Sequence, residues 1–240
     1  MNPVFRGLRA LARTLGVNVC YGCGERLEKG RHFCFSCSMD YESARMRECA
    51  ACNRVLSACL CPTPLLRKHH VRRLYKLLPY RSRHGENGVN RMVLRIKHRY
   101  PLDTISFCAK ELADAMKKTF APEGDCLVTF TPRSRRTCLE YGYDQAEELA
   151  KALAQQLGLP FAKMLKRTKQ VKEQKTLRKE ARKENMHGVF ALRRGAQAAG
   201  KHILLVDDIV TTGATMGEAA SVLYAAGAGT VEGACLCVTL

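Results

Sequence analysis

The chain has 240 residues, enough for one full α/β domain and a small additional module. Its 40 Lys and Arg against 22 Asp and Glu leave a formal net charge of +18, an excess that attracts nucleic acid or a pyrophosphate-bearing substrate. No apolar run is long enough to cross a bilayer, which sets aside a helical membrane protein.

Residues 1–19 carry Phe5, Leu8, Ala12 and Leu15 at helical spacing, interrupted by Arg6, Arg9 and Arg13. The arginines break the apolar core that a secretory signal needs. The segment is acid-free and amphipathic, as a mitochondrial presequence would be. The plainer reading is a basic helix packed on the body, and the expected location is the cytoplasm.

Cysteine pairs follow in two sets. Cys20-x-x-Cys23 and Cys34-x-x-Cys37 form the first, and Cys49-x-x-Cys52 with Cys59-x-Cys61 the second. Two close pairs across a short hairpin supply the four soft ligands of a tetrahedral zinc site. The pattern repeats internally, since Cys-x-x-Cys-Gly24-x-x-Leu27 recurs as Cys-x-x-Cys-Asn53-x-x-Leu56. Gly and Asn tolerate the positive φ that the turn after a knuckle's second cysteine requires. Two structural zinc ions are therefore expected, although a single residue, not two, separates Cys59 from Cys61. A module with so few apolar residues folds on its metal. Disulfides in a secreted protein are the competing use. His32, His69 and His70 are expected to be ordinary surface residues, and Cys235 and Cys237 to pack in the core on a final apolar strand.

Pro62-Thr-Pro64 reads as a linker, so residues 1–66 and 67–240 are expected to form two domains. Leu74 to Tyr80 reads as a strand. Glu86 to His98 puts Val89, Met92, Val93 and Ile96 on one helical face, and a second helix runs from about Asp103 to Lys118. Cys126 to Phe130 is a short buried strand, followed by a loop with Arg133, Arg135 and Arg136. A helix over Asp144 to Leu157 stops at Gly158 and Pro160, with Asp144 as N-cap and Glu147 as capping-box partner. Between Lys163 and Lys183 lie ten lysines and arginines, read as a solvated segment and as a mobile flap over a site. Strands alternating with helices imply an α/β fold with a parallel sheet and flanking helices.

The chemistry concentrates in Ile203-Leu-Leu-Val-Asp207-Asp208-Ile-Val-Thr211-Thr212-Gly213-Ala214-Thr215. This reads as a buried strand ending in two carboxylates, then a Thr/Gly turn, then an Ala-rich helix. Open α/β sheets bind ligands beyond the carboxyl ends of their strands. The turn's N–H groups, its hydroxyls and the helix start can cradle a phosphate. Asp207 and Asp208 repel phosphate but suit sugar hydroxyls or Mg²⁺. One feature thus joins a sugar end to a phosphate end. A strand–turn–helix without a ligand, and a site that binds without reacting, stay open as alternatives.

The segment resembles the 5-phosphoribosyl-1-pyrophosphate (PRPP) motif of type I phosphoribosyltransferases. That resemblance implies that Asp207 and Asp208 are the catalytic pair holding the ribose hydroxyls, while Thr211, Thr212, Gly213, Ala214 and Thr215 grip the 5-phosphate. Pyrophosphate would face Arg133, Arg135 and Arg136 with Mg²⁺. With the double zinc-ribbon module in front, the chain from Cys20 to Leu240 is similar to the ComF family, phosphoribosyltransferase-like proteins associated with natural competence. The family's other segments resemble Met92 to His98, Phe130-Thr-Pro132 with a basic Arg136, and Gln174 with Arg182-Lys-Glu-Asn185 through Phe190. One departure stands out: Tyr141-Gly-Tyr-Asp144-Gln145 replaces the family's Arg-Gly-Phe-Asn-Gln, so a cation and an amide are lost.

The resemblance implies a PRPP-binding phosphoribosyltransferase-like protein serving DNA uptake or processing, with sugar phosphate, single-stranded DNA and competence-type proteins as partners. Two other readings remain. One is a non-catalytic single-stranded-DNA-binding accessory protein with a sensor or relic PRPP site, although base-stacking aromatics are scarce. The other is a nucleobase salvage enzyme, for which no base-recognition signal is found.

Overall fold

The computed structural model describes residues 18–80, 87–99, 101–122, 124–168 and 188–239. The expected N-terminal basic helix, most of the lysine-rich flap, and the matches at Gln174 and Arg182–Asn185 lie outside them. In chain order come α1 (Phe35–Arg45), α2 (Pro64–Lys68), β1 (Leu74–Tyr80), α3 (Gly88–Arg99) and α4 (Leu102–Met116). Then follow β2 (Cys126–Phe130), α5 (Arg135–Tyr141), α6 (Gln145–Leu157), β3 (Leu165–Arg167) and β4 (Phe190–Leu192). The last are β5 (His202–Val210), α7 (Ala214–Ala225) and β6 (Thr230–Thr239).

Four strands form a parallel sheet in the order β1-β6-β5-β2, while β3 and β4 pair as a separate antiparallel ribbon. The two central strands explain the continuous apolar runs, since both of their faces are covered. On β5, Leu204 and Val206 join one buried cluster with residues of α3, α4 and α6. Ile203 and Leu205 turn to the other face, against Ala219, Ala220 and Leu223 of α7 and Phe190 of the ribbon. The parallel sheet with flanking helices is the α/β architecture expected from the alternation of strands and helices.

Val89, Met92, Val93 and Ile96 are all buried, as their spacing requires. Asp144 caps α6 by accepting from the N–H groups of Ala146 and Glu147, and Gly158 ends it at φ +67°. The reciprocal arm of the capping box takes another partner, because the Glu147 carboxylate pairs with Lys151 and Lys163, each at 2.6 Å. Cys235 and Cys237 are fully buried in the core.

Three expectations change. The two carboxylates do not end their strand: β5 continues to Val210, with Asp207 opposite Cys235 and Val210 opposite Val238 of the long β6. On its other side, pairing with β2 stops at Phe130–Val206, so the acids stand past the end of one neighbour only. The arginine-rich loop after β2 becomes helical from Arg135, with Ser134 accepting from Thr137 N–H as N-cap. No α5 residue is buried, so the sequence carries no apolar face to announce it. Finally, the Pro62–Pro64 linker is a packed strap. Thr63 caps α2 with Pro64 at its first turn, and Leu66 is completely buried.

The cysteine-rich segment is seated on the sheet domain. Tyr21, Phe33 and Tyr41 gather around Phe107 of α4, with ring centroids 5.4–5.8 Å from it. Beside them Arg45 and the Tyr41 hydroxyl reach Glu111, at 2.8 and 3.2 Å.

Candidate functional site

At the carboxyl end of the sheet, Asp207 is buried and Asp208 half-buried. The Asp208 N–H donates to Asp207 Oδ1 at 2.9 Å, and Ile209 N–H to Asp208 Oδ1 at 2.9 Å. Burial, and then the like charge of Asp208, push the Asp207 carboxyl well above its usual range. A hydroxyl donor or a cation at this point would favour the ionised form and offset that cost.

Arg133 arrives from the turn after β2. Its guanidinium donates to Asp208 Oδ2 at 2.8 Å, and its backbone N–H donates to Asp144 Oδ2 at 2.7 Å. Asp144 thus uses one oxygen to cap α6 and the other to hold the Arg133 backbone. An amide has a single acceptor oxygen, so Asn would satisfy only one of these demands. This gives the Asp144 departure a physical reason, the fixing of Arg133 beside the acidic pair. Arg135 and Arg136 sit exposed in the first turn of α5, and no contact among the described residues joins them to Asp207 or Asp208. Tyr141, where the resembling family has a cation, packs edge-on against His98 at 5.0 Å.

Beyond β5, exposed Thr211 and Thr212 lead to Gly213, which caps α7 at φ +89°. That left-handed turn is open to glycine at no steric cost. Thr212 Oγ1 accepts from Ala214 N–H at 3.3 Å, and Ala214 and Thr215 begin the helix half-buried. The segment therefore brings acceptors for hydroxyls or a cation and an N–H-lined helix start into one continuous turn, which is the chemistry of a sugar phosphate.

The eight cysteines fall into two groups. Cys20, Cys23, Cys34 and Cys37 form one and Cys49, Cys52, Cys59 and Cys61 the other, with sulfurs in each within 4.8 Å of one another. A tetrahedral ion with metal–sulfur bonds of about 2.3 Å needs sulfurs about 3.8 Å apart, and Cys23 and Cys34 stand 3.8 Å apart. Both groups can hold a metal ion, and they are compatible with a zinc-ribbon module. The internal repeat is structural as well. Gly24 N–H bonds to Cys20 O at 2.9 Å and Asn53 N–H to Cys49 O at 2.8 Å. Both follow-on residues have positive φ, +86° at Gly24 and +55° at Asn53. The single-residue spacing of Cys59 and Cys61 is no obstacle, because an extended backbone at Cys59 puts residues two apart on one side.

Cations of the sheet domain face both groups. Arg91 of α3 donates to Cys37 Sγ at 3.4 Å. Buried Lys76 of β1 donates to the carbonyls of Cys59, Cys61 and Leu74 at 3.0–3.2 Å. Four thiolates on a divalent ion leave excess negative charge, which these cations offset. Burial opposes ionisation of Cys20, yet hydrogen bonds from Cys34, Cys23 and Gly22 bring its thiol down to about 7.

Sequence reasoning missed Thr63, Leu66, His69 and Lys76. Thr63 followed by Pro64 was the available signal, an N-cap with proline at the first helical position. His69 is no idle surface residue, since its Nδ1 lies 2.7 Å from Ser221 Oγ of α7. His32 and His70 are exposed.

The family description "Phosphoribosyl transferase domain" matches residues 144–239, from the α6 cap to the end of β6. "DNA utilization protein YhgH" of Salmonella typhi is 36% identical over 132 residues, covering 55% of this chain and 57% of that protein. The chain thus matches little more than half the length of such relatives. "Competence protein ComFC" of Bacillus subtilis is 27% identical over 203 residues, 84% of this chain and 81% of that protein. The chain fits a ComF-type protein. Among solved structures, glutamine phosphoribosylpyrophosphate amidotransferase from B. subtilis, complexed with ADP and GMP, aligns at a TM-score of 0.39 and 20% identity. That alignment covers 60% of this chain and 30% of the other. Among the described residues, no helix is long and apolar enough to cross a membrane.

Proposed function

We propose that this ComF-type chain binds PRPP with Mg²⁺ at the carboxyl end of β5 and serves DNA uptake or processing. The observation that carries the reading is the continuity of Asp207, Asp208 and the Gly213 turn. Acceptors for hydroxyls lead directly into an anion-binding helix start. In this reading Asp207 and Asp208 accept from the ribose hydroxyls, and Thr211 to Thr215 hold the 5-phosphate through N–H groups and hydroxyls. Arg133 moves from Asp208 toward the pyrophosphate, while Arg135 and Arg136 add positive potential from the exposed edge. Mg²⁺, when bound, neutralises charge on the pyrophosphate. The residues' contribution to any transfer at ribose C1 is positioning and charge stabilisation of an oxocarbenium-like state.

The two cysteine groups hold structural zinc, with residues 1–66 forming the ribbon module and 67–240 the PRPP-binding domain. The DNA role rests on the YhgH and ComFC likenesses and on the net charge of +18. A second reading, a site that binds PRPP without turnover, is favoured by Tyr141, which leaves no cation at that position. Calorimetry of PRPP with and without Mg²⁺, paired with an assay for pyrophosphate release in the presence of nucleobases, separates the two. Mg²⁺-dependent binding with release supports an enzyme, and binding without release supports a sensor. Absence of PRPP binding overturns both.

A further inference from the structure

The strap that leaves the second cysteine group lies against the back of the Thr211–Gly213 turn. Thr63 stands two residues after Cys61. Its hydroxyl oxygen accepts from Leu66 N–H at 3.3 Å, which completes the cap of α2. Capping uses only the acceptor, so the hydroxyl proton is left for a second partner. It goes to the Thr212 carbonyl, at 2.9 Å. The approach is close enough to require glycine: a Cβ on Gly213 would lie 2.6 Å from Thr63 Oγ1 and 2.7 Å from Leu66 Cγ. Farther along, His69 closes on α7, where a Cβ on Gly217 would lie 2.5 Å from His69 Cδ2. His69 Nδ1 and Ser221 Oγ then fasten the strap at 2.7 Å.

The Thr63 bond has a directional consequence. A trans peptide is planar, with its C=O and N–H pointing in opposite directions. Holding the Thr212 carbonyl toward the strap turns the Gly213 N–H away from it, toward the open side of the turn. That side is where an anion would meet the start of α7.

We propose that Thr63 is a positioning residue for the phosphate of a sugar-phosphate ligand. It sets the Thr212–Gly213 peptide so that the Gly213 N–H faces the ligand, and it makes the cysteine module part of the binding site. The proposal rests on the reading of this turn as the 5-phosphate loop. Thr63→Val keeps the shape and removes the hydroxyl, whereas Thr63→Ser keeps the hydroxyl.

The test is calorimetry on the full metal-loaded chain with ribose 5-phosphate, PRPP with Mg²⁺, and pyrophosphate, with metal content checked in each variant. Thr63→Val should bind ribose 5-phosphate and PRPP at least tenfold more weakly, and pyrophosphate within twofold of wild type. Thr63→Ser should restore all three to within threefold. Ser221→Ala frees the strap's far end without touching the cap, so it keeps the test alive should Thr63→Val not fold. It should give a smaller loss confined to the same two ligands. Wild-type affinity for ribose 5-phosphate in Thr63→Val overturns the positioning role alone. Equal weakening of all three ligands, unrescued by serine, shows a merely structural cap and overturns it too. A wild-type chain that binds neither ribose 5-phosphate nor PRPP removes the loop reading itself, and the positioning role with it.

Discussion

Gly213→Ala measures how tightly the strap and the turn are packed. Two costs add. Gly213 sits at φ +89°, a left-handed conformation that costs an alanine about 1–2 kcal/mol. The new methyl would lie 2.6 Å from Thr63 Oγ1 and 2.7 Å from Leu66 Cγ. Neither neighbour can give way cheaply, since Leu66 is fully buried and Thr63 is bonded on both sides. Overpacking of this kind costs about 1–3 kcal/mol, for a total of roughly 2–5 kcal/mol. A chain of this size loses about 2–4 °C per kcal/mol, so Tm should fall by roughly 4–20 °C. Gly158→Ala is the control, because Gly158 has φ +67° but nothing within 4 Å of its would-be Cβ. It carries the backbone cost of about 1–2 kcal/mol alone. Thermal denaturation of both variants at equal metal content reads the difference. If Gly213→Ala costs no more than Gly158→Ala, the strap is not packed on the turn and the reasoning fails.

Protein purified without chelator should contain close to two zincs per chain by elemental analysis. A value near one points to a defect in the second group, and a metal-free folded chain contradicts the metal reading. Glu147 gives a pH signature: burial alone would raise its carboxyl, but hydrogen bonds from Lys151 and Lys163 outweigh burial and hold it below the usual range. Its stabilising contribution is therefore full above the ordinary glutamate range and lost as pH falls through the lowered value, so Glu147→Gln should flatten the acid limb of a Tm–pH profile. An unchanged limb shows the pairs to be idle. Single-stranded DNA should bind with little sequence preference and a steep salt dependence. Replacing Lys172, Lys175, Arg178 and Lys179 with Ala should flatten that slope, and an unchanged slope moves the contact elsewhere.

Elements with a strong period or clear stop signals were legible in the chain. β1 and β2 agree with their expected limits residue for residue, and α6 ends at Gly158 as its glycine and following proline require. The cysteine groups were legible because ligand spacing and turn chemistry point the same way at Gly24 and Asn53. What depends on contacts between distant residues was not. Thr63 and Thr212 stand 149 residues apart, and Lys76 gives no sign in a hydrophobic strand that its ammonium will find three carbonyls. Asp144 was legible as a cap, but its second oxygen's hold on Arg133 is a tertiary fact. The extension of β5 past its acids was hidden for a similar reason, since only the length of β6 keeps that strand paired through Val210.

The central claim is that Asp207 and Asp208 hold the sugar of PRPP. Asp207→Asn with Asp208→Asn keeps the size of both side chains, and burial already favours a neutral group at Asp207. The variant should therefore stay folded. Calorimetry in the presence of Mg²⁺ should show PRPP binding by the wild type and none by the double variant. Equal PRPP affinity in the two proteins would contradict the assignment.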